Sequence, residues 1–168
     1  MFRFLFPRLT AGPRRGAAMF ESVTSEARSP HWYVEGEVPD TLDGRFAVLA
    51  TVAALVLYRL EQSGNDEASV ALTERFIEVM ESEHRELGLG DPTLGRTVRK
   101  LVGSLSRRVD LWRAAIRTGE WDRATRESVY GSIAPHPSAL GHTQSRLRLL
   151  WARLQDLTDA EIAEGRVR

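Results

Sequence analysis

The stretch from His84 to Lys100, HRELGLGDPTLGRTVRK, carries Gly88, Gly90 and Gly95 at close spacing and opens onto Arg96, Arg99 and Lys100. Glycines beside cations are the material of phosphate-binding loops, in which backbone N–H groups cradle an anion at a helix N-terminus. The spacing fails the mechanics of such loops. A dinucleotide fingerprint places a third glycine where Thr93 stands, and it follows a strand, whereas the residues before Gly88 have helical periodicity. The other phosphate loop, G-x-x-x-x-G-K-S/T, has its glycine spacing from Gly90 to Gly95, but Arg96 occupies the lysine position. Arginine does not replace the point charge that reaches the terminal phosphates. A helix–turn–helix corner fits better. Gly88 ends one helix in a left-handed conformation, Asp91 caps the next, and Pro92 takes its first position.

Other chemistry is sparse. His31, His84, His136 and His142 include no two at metal-ligand spacing on one helix face. Glu78, Glu81, Glu83 and Glu86 share a helical segment, but without the carboxylate–histidine pattern of di-iron bundles. Ser104 and Ser106 have no nucleophile setting. The chain has no cysteine, which excludes disulfides, thiolate metal sites and a cysteine nucleophile. Neither a catalytic constellation nor a cofactor is expected.

The elements that would position any site read as helices. Leu94, Val98, Leu101, Val102, Leu105, Val109, Trp112 and Ile116 recur at steps of three and four, the stripe of an amphipathic helix. Leu72, Phe76, Val79, Met80 and Leu87 make a second stripe, and Leu140 to Leu157 a third. Gly119 and Gly131 fall where helices should stop, and APHPSALG reads as a loop. Phe46 to Tyr58, FAVLATVAALVLY, is apolar nearly all round and bracketed by Arg45 and Arg59. It is too short to cross a bilayer, which takes about 20 residues. A helix apolar on every side belongs in the middle of a domain. The expected fold is all-α: one compact domain of about six helices around this buried central helix. Its 168 residues suffice to bury roughly 70% of the unfolded surface.

Charge is segregated although the net charge is zero. From Glu61 to Asp91 nine acids face only Arg75 and Arg85; from Arg96 to Arg117 seven bases face only Asp110. Such blocks are solvated helix faces, expected here to face one another across the corner. Sequence-specific nucleic-acid binding is not expected of a neutral chain.

VPDTLDGRFAVLATVAALVLYRL, residues 38–60, resembles the signature segment of the ubiquinol–cytochrome c chaperone family. The stretch HRELGLGDPTLGRTVRKLVGSLSRRVDLWRAAI is similar to the family's next block, and ESVTSEARSPHWY to its first helix and the aromatic pair after it. The resemblance spans about residues 19–130. Three positions depart from it. Val52 stands where members often carry histidine, Tyr58 where they often carry arginine, and of an aromatic–aromatic–Gly–Arg run only Arg107 remains. The resemblance implies a non-enzymatic assembly factor for respiratory complex III that binds newly made or newly inserted cytochrome b. It further implies contact with the ribosomal exit region and a small helper protein, and a place on the cytoplasmic side of the membrane. The motif residues it marks for partner binding are Asp40, Asp43, Gly44, Arg45, Phe46, Arg85, Glu86, Gly88, Gly90, Asp91 and Arg107. The alternative is a helical adaptor or ribosome-associated module whose signal is the basic 96–117 helix.

Three expectations complete the reading. Asp40 or Asp43 caps the central helix, and Arg45 pairs with an acid of the Glu86–Asp91 corner. Residues 1–18 form a basic-aromatic arm, 19–160 the helical domain and 161–168 a tail. Within the arm, Arg3, Arg8, Arg14 and Arg15 with Phe2, Phe4 and Phe6 suit residues 2–15 to peripheral contact with an anionic membrane.

Overall fold

The computed structural model describes residues 15–88 and 90–168. It is a bundle of seven α-helices with no strand among the described residues. They are α1 (Ala17–Ala27), α2 (Leu42–Gln62), α3 (Asp66–Glu86), α4 (Asp91–Thr118), α5 (Trp121–Thr125), α6 (Pro137–Asp156) and α7 (Asp159–Ala163). A 3₁₀ turn, Pro30–Trp32, follows α1, and a π turn, Arg126–Tyr130, continues α5.

The central helix is α2, packed by α1, α3, α4, α6 and the π turn. Every residue from Thr51 to Tyr58 is buried, and Ala50, Ala53 and Ala54 are fully covered, so neighbouring helices can approach on all sides. Val52 and Tyr58 fit this setting. Val52 is sealed in the core, and Tyr58 stacks on Trp151 at 5.4 Å with Arg113 over its ring. Each large apolar side chain buried here contributes about 1.5–3 kcal/mol.

Local signals set the ends. Asn65 accepts from Ala68 N–H at 3.0 Å and starts α3, while Asp66 and Glu67 in its first turn oppose His84 and Arg85 in its last. Gly119, left-handed, stops α4 and returns its N–H to Ala115. The loop expected at APHPSALG ends early. Pro137 takes the first position of α6, and His136 accepts from Ser138 N–H, so PSALG is helical.

The last eight residues, expected as a tail, send two side chains into the core. A capping box between Thr158 and Glu161 forms α7. Ile162 and Val167 are fully buried, and Val167 N–H donates to Ser22 of α1 at 3.2 Å. Of the arm expected over residues 1–18, residues 1–14 lie outside the described residues; Arg15 is exposed and α1 begins at Ala17.

A polar node joins the segment after α1 to α6. The Tyr130 hydroxyl donates to Gly36 O at 2.6 Å and meets Thr143 Oγ1 at 2.8 Å. Beside it His31 Nδ1 lies 3.3 Å from His142 Nε2. Burial first, then the Arg146 charge and His142, bring the His31 imidazole down to about 4, against the pull of Glu35. Glu26 Oε1 stands 3.8 Å from Nε2, beyond hydrogen-bond reach, and does not offset burial.

The folded-state value lies below the unfolded one of about 6.5. Above that pH both states are neutral and His31 adds no pH dependence. As pH falls from about 6.5 to about 4, the unfolded chain takes up a proton that the folded chain refuses, so stability is lost. Allowing for the ring's partial exposure, the loss over this window is about 2 kcal/mol. Urea unfolding at about pH 7 and about pH 4.5 should show a smaller drop for His31→Gln than for the wild type. Equal drops would contradict the assignment.

Candidate functional site

The motif D-T-L-D-G-R-F builds the N-terminus of α2. Thr41 is the cap, its Oγ1 accepting from Gly44 N–H at 3.2 Å, and Asp43 lies in the first turn. This corrects the expectation that Asp40 or Asp43 would cap. The extended backbone of Thr41 puts its hydroxyl, and not either carboxylate, over the free N–H groups. Arg45 does not reach the Glu86–Asp91 corner. Its Nε donates to Asp40 Oδ1 at 2.6 Å, a local bridge across the cap. That hydrogen bond holds the Asp40 carboxyl below its ordinary value. Both side chains are more than half exposed, so water screens the pair. Arg45→Ala should leave the melting temperature unchanged within error. A loss of several degrees in a thermal scan would mean that the pair is structural.

Phe46 is half-buried and connects this motif to α4. Its ring lies 6.1 Å from that of Phe76, and Arg108 sits over it at 5.8 Å. The Arg108 guanidinium donates from Nε and Nη2 to Ser128 O at 3.1 and 2.9 Å, and from Nη1 to Ser104. The Ser128 hydroxyl meets Thr51 Oγ1 at 2.6 Å and accepts from Trp112 Nε1 at 3.0 Å. The π turn turns the Ser128 carbonyl toward these donors, and a π turn in a helix often marks a functional position. Burial, and then the neighbouring Arg107 charge, lower the Arg108 pKa. Sequence reasoning singled out Arg107, which is exposed, and missed Arg108. A signal was present: Arg108 lies three residues after Leu105 and four before Trp112, on the edge of the α4 apolar stripe.

The corner residues stand apart from this cluster. Arg85, Glu86, Gly88 and Gly90 are exposed. Gly88 is left-handed after the end of α3, as the sequence indicates. The start of α4 is one residue earlier than expected. Gly90, extended, is the cap position, Asp91 is the first helical residue and Pro92 the second. Leu94 N–H then closes on Gly90 O at 2.8 Å. Among the described residues no hydrogen bond or ion pair joins Arg85 or Glu86 to the Asp40–Phe46 motif. The expected facing of the acidic and basic blocks across the corner makes no ion pair between α3 and α4 among the described residues. Arg113 bridges Glu61 of α2 at 2.6 Å and Asp110 of its own helix. Apolar residues are also exposed in these motifs: Leu42 at 68% and Leu87 at 63%. Sequence reasoning did not single out Leu42 for a site, and it placed Leu87 on a core-facing stripe.

No group of three or more metal-ligating side chains comes together among the described residues. No helix among them is long and apolar enough to cross a membrane. What the arrangement offers is a rigid scaffold that presents charged and apolar side chains at the start of α2 and at the α3–α4 corner.

The sequence pattern of the ubiquinol-cytochrome C chaperone family matches residues 35–168. The chain belongs to that family. The match takes in the α2 motif, the corner and α4, and it runs through α6 and α7, beyond the resemblance read from the sequence. The fold is similar to the crystal structure of the Cbp3 homolog from Brucella abortus, with a TM-score of 0.75 and 22% identity. That similarity covers 98% of this chain and 94% of the other. At this identity the likeness establishes the fold. No curated protein matches the chain.

Proposed function

We propose that this chain is a non-enzymatic assembly chaperone for respiratory complex III that holds newly made or newly inserted cytochrome b. The observation that carries the proposal is the family match over residues 35–168. The surface supports it. Leu42 and Leu87 stand exposed among Asp40, Asp43, Arg45, Arg85 and Glu86, a mixture that can hold an unfinished subunit by apolar contact and be steered to it by charge. The scaffold beneath is fixed by buried anchors, so little ordering cost falls on binding. The proposed place of action is the cytoplasmic face of the membrane, with residues 2–15 as a basic-aromatic tether and a small helper protein as a further partner.

Deletion of the gene should remove the b- and c-type haem bands of complex III from membrane difference spectra, and tagged protein should copurify cytochrome b. Unchanged haem bands would end this reading. The exposed row Arg96, Arg99, Lys100 and Arg107 on α4 favours a second one, a ribosome-associated adaptor. Copurification of ribosomal RNA without cytochrome b would select it.

A further inference from the structure

We propose that the groove between α1 and α3 is a docking site for an acidic peptide segment of a partner protein; for that partner's identity as client or helper it rests on the chaperone reading. The groove encloses about 700 Å³ and follows one face of α1 from Ala17 to Arg28, roughly 16 Å of helix. α1 precedes the residues 35–168 matched to the family, and none of the motif residues marked for partner binding lines the groove.

Its chemistry selects a carboxylate. Arg28, Arg75 and Arg168 line it, against one acidic lining residue, the exposed Glu21. Arg75 shares its charge with Glu78 at 3.0 Å. Arg168 donates to the Ser25 hydroxyl at 2.8 Å, and neither it nor Arg28 has a carboxylate partner among the described residues. A carboxylate in the groove would meet Arg28 and Arg168, the two lining cations without an acidic partner among the described residues.

The rest of the lining selects a peptide. Phe20, Val79 and Ala17 supply apolar wall between the cations, which suits alternating acidic and apolar side chains. A single phosphate would fill a small part of this volume, and a bilayer surface is too flat to enter a concave groove. Residues 1–14 carry Arg3, Arg8 and Arg14 and no acid, so their sequence does not supply the acidic side chains the groove selects.

The test uses the full chain and a short fluorescein-labelled peptide of alternating Leu and Glu, read by anisotropy. It should bind at least about tenfold more tightly than the same peptide with Gln for Glu. The double variant R28E/R168E should lose about tenfold or more in affinity with no change in melting temperature, since both side chains are exposed. Equal affinity for the two peptides, or unchanged binding by R28E/R168E, would overturn the proposal. So would displacement of the peptide by inorganic phosphate or phosphatidylglycerol vesicles at comparable affinity, which would assign the groove to a phosphate ligand. In cells, R28E/R168E that restores full haem bands to the deletion strain overturns the groove and leaves the chaperone reading standing. Deletion without haem loss removes the chaperone reading, and the peptide measurements alone then decide the groove.

Discussion

Arg59→Met is expected to lower the unfolding free energy by about 3 kcal/mol, measured by urea denaturation. Arg59 closes the C-terminal end of α2 and is 13% exposed. Its Nε donates to Leu154 O at 2.9 Å and its Nη2 to Leu157 O at 2.7 Å. Nη1 pairs with Asp159 at 3.2 Å. One guanidinium therefore satisfies free carbonyls at the end of α6 and holds the first residue of α7. Methionine keeps most of the stem's packing and removes every donor. The two carbonyls and one carboxylate then lose their partner together, which is costlier than losing an exposed ion pair. Burial pushes the Asp159 carboxyl up, but hydrogen bonds from Ser63 and Asn65 and the Arg59 charge together hold it below its ordinary value. The acid thus keeps partners when Arg59 is gone, so Asp159→Asn should cost less than Arg59→Met. The double variant should cost less than the sum of the two. A loss below about 0.5 kcal/mol for Arg59→Met would show that water replaces these bonds.

This end of α2 shows what a sequence can and cannot disclose. That Arg45 and Arg59 bracket an apolar helix is visible in the chain, because thirteen residues without a charge leave a core position as the stable choice. The α4 stripe is equally legible, since its period of three and four persists over several turns. The partners of the bracketing arginines are not. Leu154, Leu157 and Asp159 lie nearly a hundred residues after Arg59, and no local pattern encodes a pairing at that distance. His31 and His142 meet for the same reason without any signal in their spacing. Short elements are illegible in another way. A five-residue helix such as α7 has too few turns for a period, so Ile162 and Val167 look like isolated apolar residues in a charged tail. Within the candidate site, Gly88 could be read because a left-handed cap favours glycine. Arg107 and Arg108 could not be told apart by type, only by phase on the helix. The groove between α1 and α3 could not be read as a groove, because its walls come from three separate parts of the chain.

Gly44→Ala should destabilise the protein by about 3 kcal/mol, opposite in sign to the usual effect of this exchange inside a helix. Ala for Gly within a helix normally gains up to about 1 kcal/mol, because glycine loses more backbone freedom on folding. At Gly44 that gain is overwhelmed. A Cβ built there falls onto the backbone carbonyl of Pro39, which cannot rotate away like a side chain. Either α2 or residues 38–41 must move. The segment is anchored at Val38, which is 2% exposed and whose N–H donates to Trp32 O at 3.0 Å. It also carries Thr41, whose hydroxyl caps α2 through Gly44 N–H itself. Relieving the overlap therefore costs core burial and the cap together. Pro39, Thr41 and Gly44 form one device, in which the close approach of the chain to the helix fixes which of Asp40, Thr41 and Asp43 becomes the cap. Gly44 accordingly acts on folding, and the proposed partner contact falls on its neighbours Leu42 and Arg45, which are exposed. The contrast with Arg45→Ala separates the two roles. Gly44→Ala should lower melting and lower cytochrome b capture only in proportion to the folded fraction, whereas Arg45→Ala should leave melting intact whatever it does to capture. A Gly44→Ala protein that melts at or above the wild-type temperature would show that the Pro39 carbonyl yields freely, and the cap would then owe its position to Thr41 alone.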